Sequence, residues 1–418
     1  MGNTSRYPIV LPRREVVPML TQTITGRRFD TGQPVRLHWR GDRIQRIEYL
    51  RSDQQTRRLP FLAPGLCDLQ VNGCAGCEFA SPALRPADVR TVGDVLLRMG
   101  VTCFCPTVTT QSHDVIAHAV STIDQACRTD ADLGRRIAGI HLEGPFISPE
   151  DGPRGAHPKE HVRPPDWDEF VQWQALAGNR IAIVTISPEY PSSVEFIRRA
   201  AAAGVVVALG HMAATRDQIL AAVDAGASIC THLGNGAHPV LPRHPNYLWD
   251  QLAEDRLTAG LIADGFHLPD EVLNVFLRAK QPHRCFLVSD LAAQAGLPPG
   301  RYRGGLCEVE LLPEGKLVIA GQRQLLAGAA APLGAGIARV MRAAGLSLAQ
   351  AVRLACHQPR QIVGVATTDF APGDSADFML FRVDPAAADN SRSFRVEQVV
   401  VDGRPVFRGG CDAPGAAC

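Results

Sequence analysis

The residues most able to do chemistry lie where apolar runs end. Glu143 closes the run Ile137-Ala138-Gly139-Ile140-His141-Leu142-Glu143, His211 closes Ala208-Leu209-Gly210-His211, and His232 lies in Ile229-Cys230-Thr231-His232-Leu233-Gly234-Asn235. One carboxylate and two imidazoles from three separate segments match the set with which catalytic zinc sites hold an ion and leave one position open for water. Asp290 ends a further run, Phe286-Leu287-Val288-Ser289-Asp290. A carboxylate there suits a general base that takes a proton from water and later delivers it to a leaving nitrogen. His267, in Ile262-Ala263-Asp264-Gly265-Phe266-His267, falls just beyond another run and is placed to position a substrate. A single histidine in a strand is more often a hydrogen-bonded core residue than a ligand. Joint occurrence at several strand ends is what favours the metal. By the same test His141, Asp264 and His238 read as structural or as supports for the ligands, and spacing alone leaves His157, in Gly155-Ala156-His157-Pro158, undecided.

Such scattered residues meet only if the fold gathers strand ends at one mouth. Apolar, β-branched runs of strand length recur at 61–72, 101–108, 137–143, 181–188, 204–211, 227–233, 258–264 and 284–290. Helical spacing falls between many of them, at 86–99, 112–128, 193–203, 214–225 and 269–280. Alternating strands and helices imply right-handed crossovers and a parallel sheet, and eight such units close a TIM (β/α)8 barrel, an α/β fold. The strands read as continuous hydrophobic runs, as expected where helices cover the outside and side chains fill the inside. An open doubly wound sheet is the rival, weakened by the lack of a G-x-G-x-x-G turn after an early strand.

The ends of the chain are patterned differently. Short alternating stretches, Val35-Arg36-Leu37-His38-Trp39 and Ile44-Gln45-Arg46-Ile47, flank the turn Arg40-Gly41-Asp42. The style returns in Ala376-Asp377-Phe378-Met379-Leu380-Phe381 and in Val396–Val401, followed by the turn Asp402-Gly403. Residues 1–60 and 366–418 are therefore expected to form a small β-sandwich beside a barrel of residues 61–365, with a hairpin at 302–321 inserted after the eighth strand and a frayed tail at Gly409–Cys418.

Composition narrows the partners. The 418 residues are 45% hydrophobic and 20% charged, and 43 basic against 42 acidic residues give a net charge of +1. That balance predicts no nucleic-acid groove and no membrane-binding face. The opening MGNTSRYPIV lacks the layout of a secretory signal, no apolar run reaches the roughly 18 residues of a membrane span, and Gly2 is followed by Arg6 where myristoylation wants Ser or Thr. Twelve cysteines fall largely inside apolar runs, which fits a reducing compartment, and a cytoplasmic protein is expected. Cys74 and Cys77 form one C-x-x-C with no second pair to complete a zinc knuckle.

Taken together and in order, the motifs resemble the N-acetylglucosamine-6-phosphate deacetylase family of the amidohydrolase superfamily. The likeness covers roughly residues 60–365: Pro64-Gly65-Leu66-Cys67-Asp68-Leu69-Gln70-Val71-Asn72-Gly73, His141-Leu142-Glu143-Gly144-Pro145, Gly155-Ala156-His157, Gly210-His211, Thr231-His232-Leu233-Gly234-Asn235, Ile262–His267 and Ser289-Asp290. Many amidohydrolases carry a His-x-His pair in the first strand to hold a second metal. Here Gln70 and Asn72 stand there, and neutral amides are poor zinc ligands. The resemblance thus implies one divalent ion per subunit, expected to be zinc, on Glu143, His211 and His232. It further implies Asp290 as acid and base, His157 near the acyl group, His267 on the sugar or its phosphate, and substrate contacts from Asn235 with Gly236, Gln70 and Asn72 nearby. The family's phosphate is held with a basic residue from a neighbouring subunit, so a homodimer is expected, with Arg243 as the candidate. The chain departs from the family in Gly236-Ala237-His238, in Leu291-Ala292 and in Ala327-Gly328-Ala329. The expected reaction is hydrolysis of an N-acetyl amino-sugar phosphate. Another N-acyl or cyclic amide substrate, or a non-catalytic relative, are the alternatives.

Overall fold

A computed structural model describes residues 20–305, 307–387 and 390–409. The segment examined for a targeting signal and the tail from residue 410 onward lie outside the described residues.

Eight parallel strands make the barrel: Leu66–Val71, Val101–Thr109, Ile140–Glu143, Ile181–Ile186, Val206–Leu209, Ala227–Cys230, Thr258–Ile262 and Cys285–Val288. They hydrogen-bond in chain order, so each neighbour in sequence is a neighbour in the sheet. The expected first strand, 61–72, is in fact two. Phe61–Pro64 joins a different sheet, and the chain enters the barrel at Gly65, where a Cβ would lie 2.1 Å from the Thr102 hydroxyl oxygen. Only glycine allows that approach. Buried Arg360 fastens the same point, donating to the Gly65 carbonyl at 2.7 Å and to the Thr102 hydroxyl at 3.0 Å.

Closure between the eighth and first strands depends on few bonds. The Asp290 N–H donates to the Gln70 carbonyl at 3.0 Å, the Asn72 N–H to the Leu291 carbonyl at 2.8 Å, and Val71 bridges Leu291. The Asp68 carboxylate completes the seam by accepting the Ser289 N–H at 3.1 Å and the Gln70 N–H at 3.3 Å. Its second oxygen is buried without a partner, and burial pushes the carboxyl up to about 7.

All five expected helices form, and Trp167–Leu176, Tyr247–Ala253, Leu333–Ala344 and Leu348–Ile362 add to them. Strands of the two terminal segments flank Phe61–Pro64, expected within the barrel, in one seven-stranded sheet ordered Arg404–Arg408, Phe394–Val401, Phe378–Val383, Phe61–Pro64, Gln22–Arg28, Pro34–Arg40, Arg43–Tyr49. The Trp39 indole N–H donates to the Gly403 carbonyl at 2.8 Å, so the two turns read from the sequence pack against each other. The insertion after the eighth strand is larger than one hairpin. It is a four-stranded antiparallel sheet, Gly300–Arg303, Glu308–Leu311, Leu317–Ile319 and Gln322–Leu326, because both flanks of the 302–321 segment continue the pairing.

Asp68 generates a pH prediction. Its folded pKa is raised, so the proton-linked stability it contributes is complete below the ordinary Asp value near 4 and is lost as pH rises through about 7. Asp68→Asn keeps an acceptor for Ser289 and cannot ionise. Its urea midpoint relative to wild type should therefore rise progressively between pH 4 and pH 8; a constant difference would refute the assignment.

Candidate active site

At the barrel's C-terminal mouth three side chains converge on one point. Glu143, the last residue of the third strand, directs Oε1 to within 3.2 Å of His211 Nε2 and 3.0 Å of His232 Nε2, and the two imidazole nitrogens are 3.0 Å apart. Ligands 2.0–2.2 Å from a tetrahedral ion would stand about 3.3–3.6 Å apart, a few tenths of an ångström wider than this spacing. The donor set and its geometry therefore fit a divalent cation. His157 borders the same point, since Glu143, His157 and His211 offer ligand atoms within 4.8 Å of one another. The tighter triple is the one with His232.

Several supports fix these groups. His211 Nδ1 lies 2.8 Å from the Pro153 carbonyl, which can only accept, so the ring hydrogen is on Nδ1 and Nε2 presents its lone pair. Gly236 backs the same ring so closely that a Cβ there would meet Nδ1 at 2.7 Å. His211, His232 and Asp290 have φ of 50°, 27° and 54°. Non-glycine residues reach this left-handed region at a cost of about 1–2 kcal/mol each. Three such residues at strand ends around one point are a mark of a functional site.

Gln70 and Asn72 do not reach toward the triple as a metal pair would. The Gln70 amide donates to Glu143 Oε1 at 2.8 Å and to Asp290 Oδ1 at 3.1 Å, and the Asn72 amide donates to that same Asp290 oxygen at 2.7 Å. A neutral amide thus bridges two carboxylates that would otherwise repel. Asp290 Oδ2 is left without a hydrogen-bond partner among the described residues. Burial, and secondly the Glu143 charge, push the Asp290 carboxyl up to about 6.

Above these groups is a cleft of about 410 Å³. Glu143, His157, His211, His232, Asn72, Asn235, Gly236, His267 and Asp290 all line it. The buried His157 ring gives its Nδ1 to the Thr110 hydroxyl at 2.7 Å, which itself donates to the Glu143 carbonyl at 3.4 Å. His157 Nε2 is thereby free to accept. Burial, then neighbouring His211, pushes this imidazole down to about 3, so it is neutral near pH 7. His267 Nδ1 lies 2.8 Å from Asp264 Oδ2, and the other Asp264 oxygen accepts the N–H groups of Phe266 and His267. Asp264 thus orients His267. His141 is a core residue, bonded to the Leu69 carbonyl and the Thr185 hydroxyl. His238 pairs with Glu150 and Tyr247 at the rim.

Two candidates stay apart. Buried Gln70, its amide taken up by Glu143 and Asp290, does not line the cleft. Arg243 is exposed in the loop beyond Gly236 and does not line the cleft of its own chain. Nor does any other Lys or Arg among the described residues. Sequence reasoning missed Thr110, although it follows the second strand directly and the rule of polar residues at strand ends applied to it. It also missed Glu78, which lines the cleft from a hairpin that no strand-end rule selects.

Residues 61–406 match the amidohydrolase family. N-acetylglucosamine-6-phosphate deacetylase of Bos taurus is 36% identical over 332 residues, 76% of this chain and 79% of the bovine one. N-acetylgalactosamine-6-phosphate deacetylase of Escherichia coli O157:H7 is 30% identical over 322 residues, 77% of this chain and 83% of its own. Among solved structures, a mutant N-acetyl-D-glucosamine-6-phosphate deacetylase from Mycobacterium smegmatis in complex with N-acetyl-D-glucosamine-6-phosphate superposes with a TM-score of 0.78 at 28% identity, covering 89% of this chain and 94% of that one.

Among the described residues the Thr110 hydroxyl is the one hydrogen-bond partner of the His157 ring, which otherwise packs edge-on against His211, so Thr110→Val should loosen the ring without emptying the cleft. Hydrolytic turnover is expected to fall about 10- to 100-fold with the melting temperature little changed, as for other residues that orient a site imidazole. Full activity in the variant would remove His157 from the working site.

Proposed function

Since this chain belongs to the amidohydrolase family, and within it to the N-acetylglucosamine-6-phosphate deacetylases, we propose that it hydrolyses N-acetylglucosamine 6-phosphate to glucosamine 6-phosphate and acetate. Membership makes it a hydrolytic enzyme. The observation that carries the reading is the convergence of Glu143 Oε1, His211 Nε2 and His232 Nε2 beside a raised Asp290, in a cleft large enough for a sugar phosphate.

Glu143, His211 and His232 would hold one divalent ion, and two imidazoles with a carboxylate suit zinc. When bound, the ion supplies Lewis acidity for water activation and for polarising the acyl oxygen. The Gln70 and Asn72 amides keep Asp290 Oδ1 fixed and leave Oδ2 to take a proton from the attacking water. The same oxygen then returns the proton to the sugar nitrogen as the C–N bond breaks, releasing amine and acetate. His157, neutral and with Nε2 free, accepts a hydrogen bond from the acyl-amide N–H. His267, fixed through Nδ1 by the Asp264 carboxylate, faces the phosphate, and Asn235 and Gly236 line the same wall.

A phosphate dianion needs a cationic partner. No described Lys or Arg of the chain itself lines the cleft, so the exposed Arg243 of a second copy is the natural source, in a homodimer. The ten described cysteines are free thiols, which supports a reducing cytoplasm. No helix among the described residues is long and apolar enough to cross a membrane.

Metal analysis joined to an acetate-release assay tests the reading. Wild type should carry close to one zinc per chain. Asp290→Asn should keep the zinc and lose about 10²- to 10⁴-fold in kcat, the usual worth of a general acid–base. Glu143→Ala should lose both. Two ions per chain, or undiminished turnover in Glu143→Ala, would overturn the assignment.

A further inference from the structure

We propose that Glu78 is a specificity residue of this cleft, its free carboxylate oxygen accepting a hydrogen bond from a ring hydroxyl of the amino-sugar substrate. The inference rests on the amino-sugar reading given above. It comes from a charged group that the hydrolytic steps do not use and that the chain leaves half satisfied.

Glu78 ends a two-stranded hairpin, Gly73–Cys74 with Cys77–Glu78, directly after the first barrel strand. Its turn residues Ala75 and Gly76 both have positive φ, 51° and 82°, the geometry of the tight two-residue turn that suits strand twist. Both turn N–H groups are held by the loop after the eighth strand, Ala75 by the Ala295 carbonyl at 2.8 Å and Gly76 by the Ala293 carbonyl at 2.7 Å. The hairpin is therefore a rigid part of the mouth, and its last side chain has a defined place.

That side chain is partly buried against the four-stranded insertion and lines the cleft. Oε2 accepts the Gly305 N–H at 2.8 Å. Oε1 has no hydrogen-bond partner, and Glu78 forms no ion pair, among the described residues. Burial pushes the carboxyl above its ordinary range, the Gly305 bond offsetting only part of the effect. A carboxylate kept in such a place without a cation favours a donor to it, and no Lys or Arg among the described residues lines the cleft to act as one. Oε1 is open to the cleft, so a donor that enters can reach it. Sugar hydroxyls are neutral donors of the right kind.

The same charge sets the direction of binding. Glu78, Gln294, Gly305 and Cys307 form the wall that follows the first and eighth strands, whereas Asn235 and Gly236 belong to the loop after the sixth. A phosphate is repelled from the Glu78 wall and a hydroxyl-bearing edge is welcomed there. The sugar therefore lies with its hydroxyls toward Glu78 and its phosphate toward Asn235, Gly236 and His267.

The test uses the zinc-loaded enzyme, N-acetylglucosamine 6-phosphate and its 3-deoxy and 4-deoxy analogues. A hydrogen bond to a charged acceptor predicts that Glu78→Ala raises KM for the parent sugar about 10- to 100-fold, with kcat within about threefold of wild type. One deoxy analogue should be poor for wild type yet lose nothing further in the variant, because hydroxyl and acceptor are the two halves of one bond. Glu78→Gln, whose single oxygen keeps the hold on Gly305 and so turns the donor NH2 toward the sugar, should also raise KM, with the melting temperature close to wild type, which separates the sugar contact from the fastening of the insertion. An equal loss on all three sugars, or a fall in kcat with KM unchanged, would overturn the inference and leave Glu78 as a fastener of the insertion. No acetate release by the wild type from any of the three would overturn the reading of the site itself, and this inference with it.

Discussion

A single carboxylate oxygen, Glu143 Oε1, is the point on which the structure of the site turns. It accepts from the Gln70 amide at 2.8 Å and faces His232 Nε2 at 3.0 Å and His211 Nε2 at 3.2 Å. Those four residues come from the first, third, fifth and sixth strand ends, so one atom ties together half the barrel's mouth. A buried carboxylate is tolerable only where donors or a cation surround it. The polar residues at the strand ends therefore form a mutually dependent set, in which the loss of one leaves the others desolvated and unpaired.

Gln70 gives that set its particular character. Its amide lies between Glu143 and Asp290 and donates to both. Two carboxylates so placed need positive charge or donors between them. In this chain an amide supplies part of what a second cation would supply, and the Asn72 amide reinforces it at Asp290. The arrangement also crosses the barrel seam, where Asp68, Gln70 and Asn72 of the first segment meet Ser289, Asp290 and Leu291 of the last. Closing the barrel and orienting Asp290 are consequently one structural act. The left-handed backbone at His211, His232 and Asp290 is held in place by the same contacts and by the packed layers beneath.

How much of this was legible depends on whether the information was local. The eight strand segments could be read because burial on both faces leaves a continuous apolar run, and the site could be read because polar residues end those runs. Glu143, His211, His232, Asp290 and His267 announced themselves in that way, and so, in retrospect, did Thr110. The break at Gly65 was not read, since Pro64-Gly65 falls inside one long, mostly apolar stretch and it is the proximity of Thr102 that demands glycine there. The four-stranded insertion was read as one hairpin because its outer strands, Gly300–Arg303 and Gln322–Leu326, are exposed and polar and carry little pattern.

The amino-acid sequence by itself determined the fold class, the metal-type donor set and the replacement of a His-x-His pair by Gln70 and Asn72, because periodicity and residue chemistry are properties of short segments. Only the tertiary structure decided that the Gln70 amide bridges two carboxylates, that Thr110 fixes His157, that Arg243 stands outside its own cleft and that Glu78 faces into it. These are relations between residues far apart along the chain. Distance and direction across a barrel mouth are set by strand order, closure and loop packing, and no local pattern of side chains encodes them.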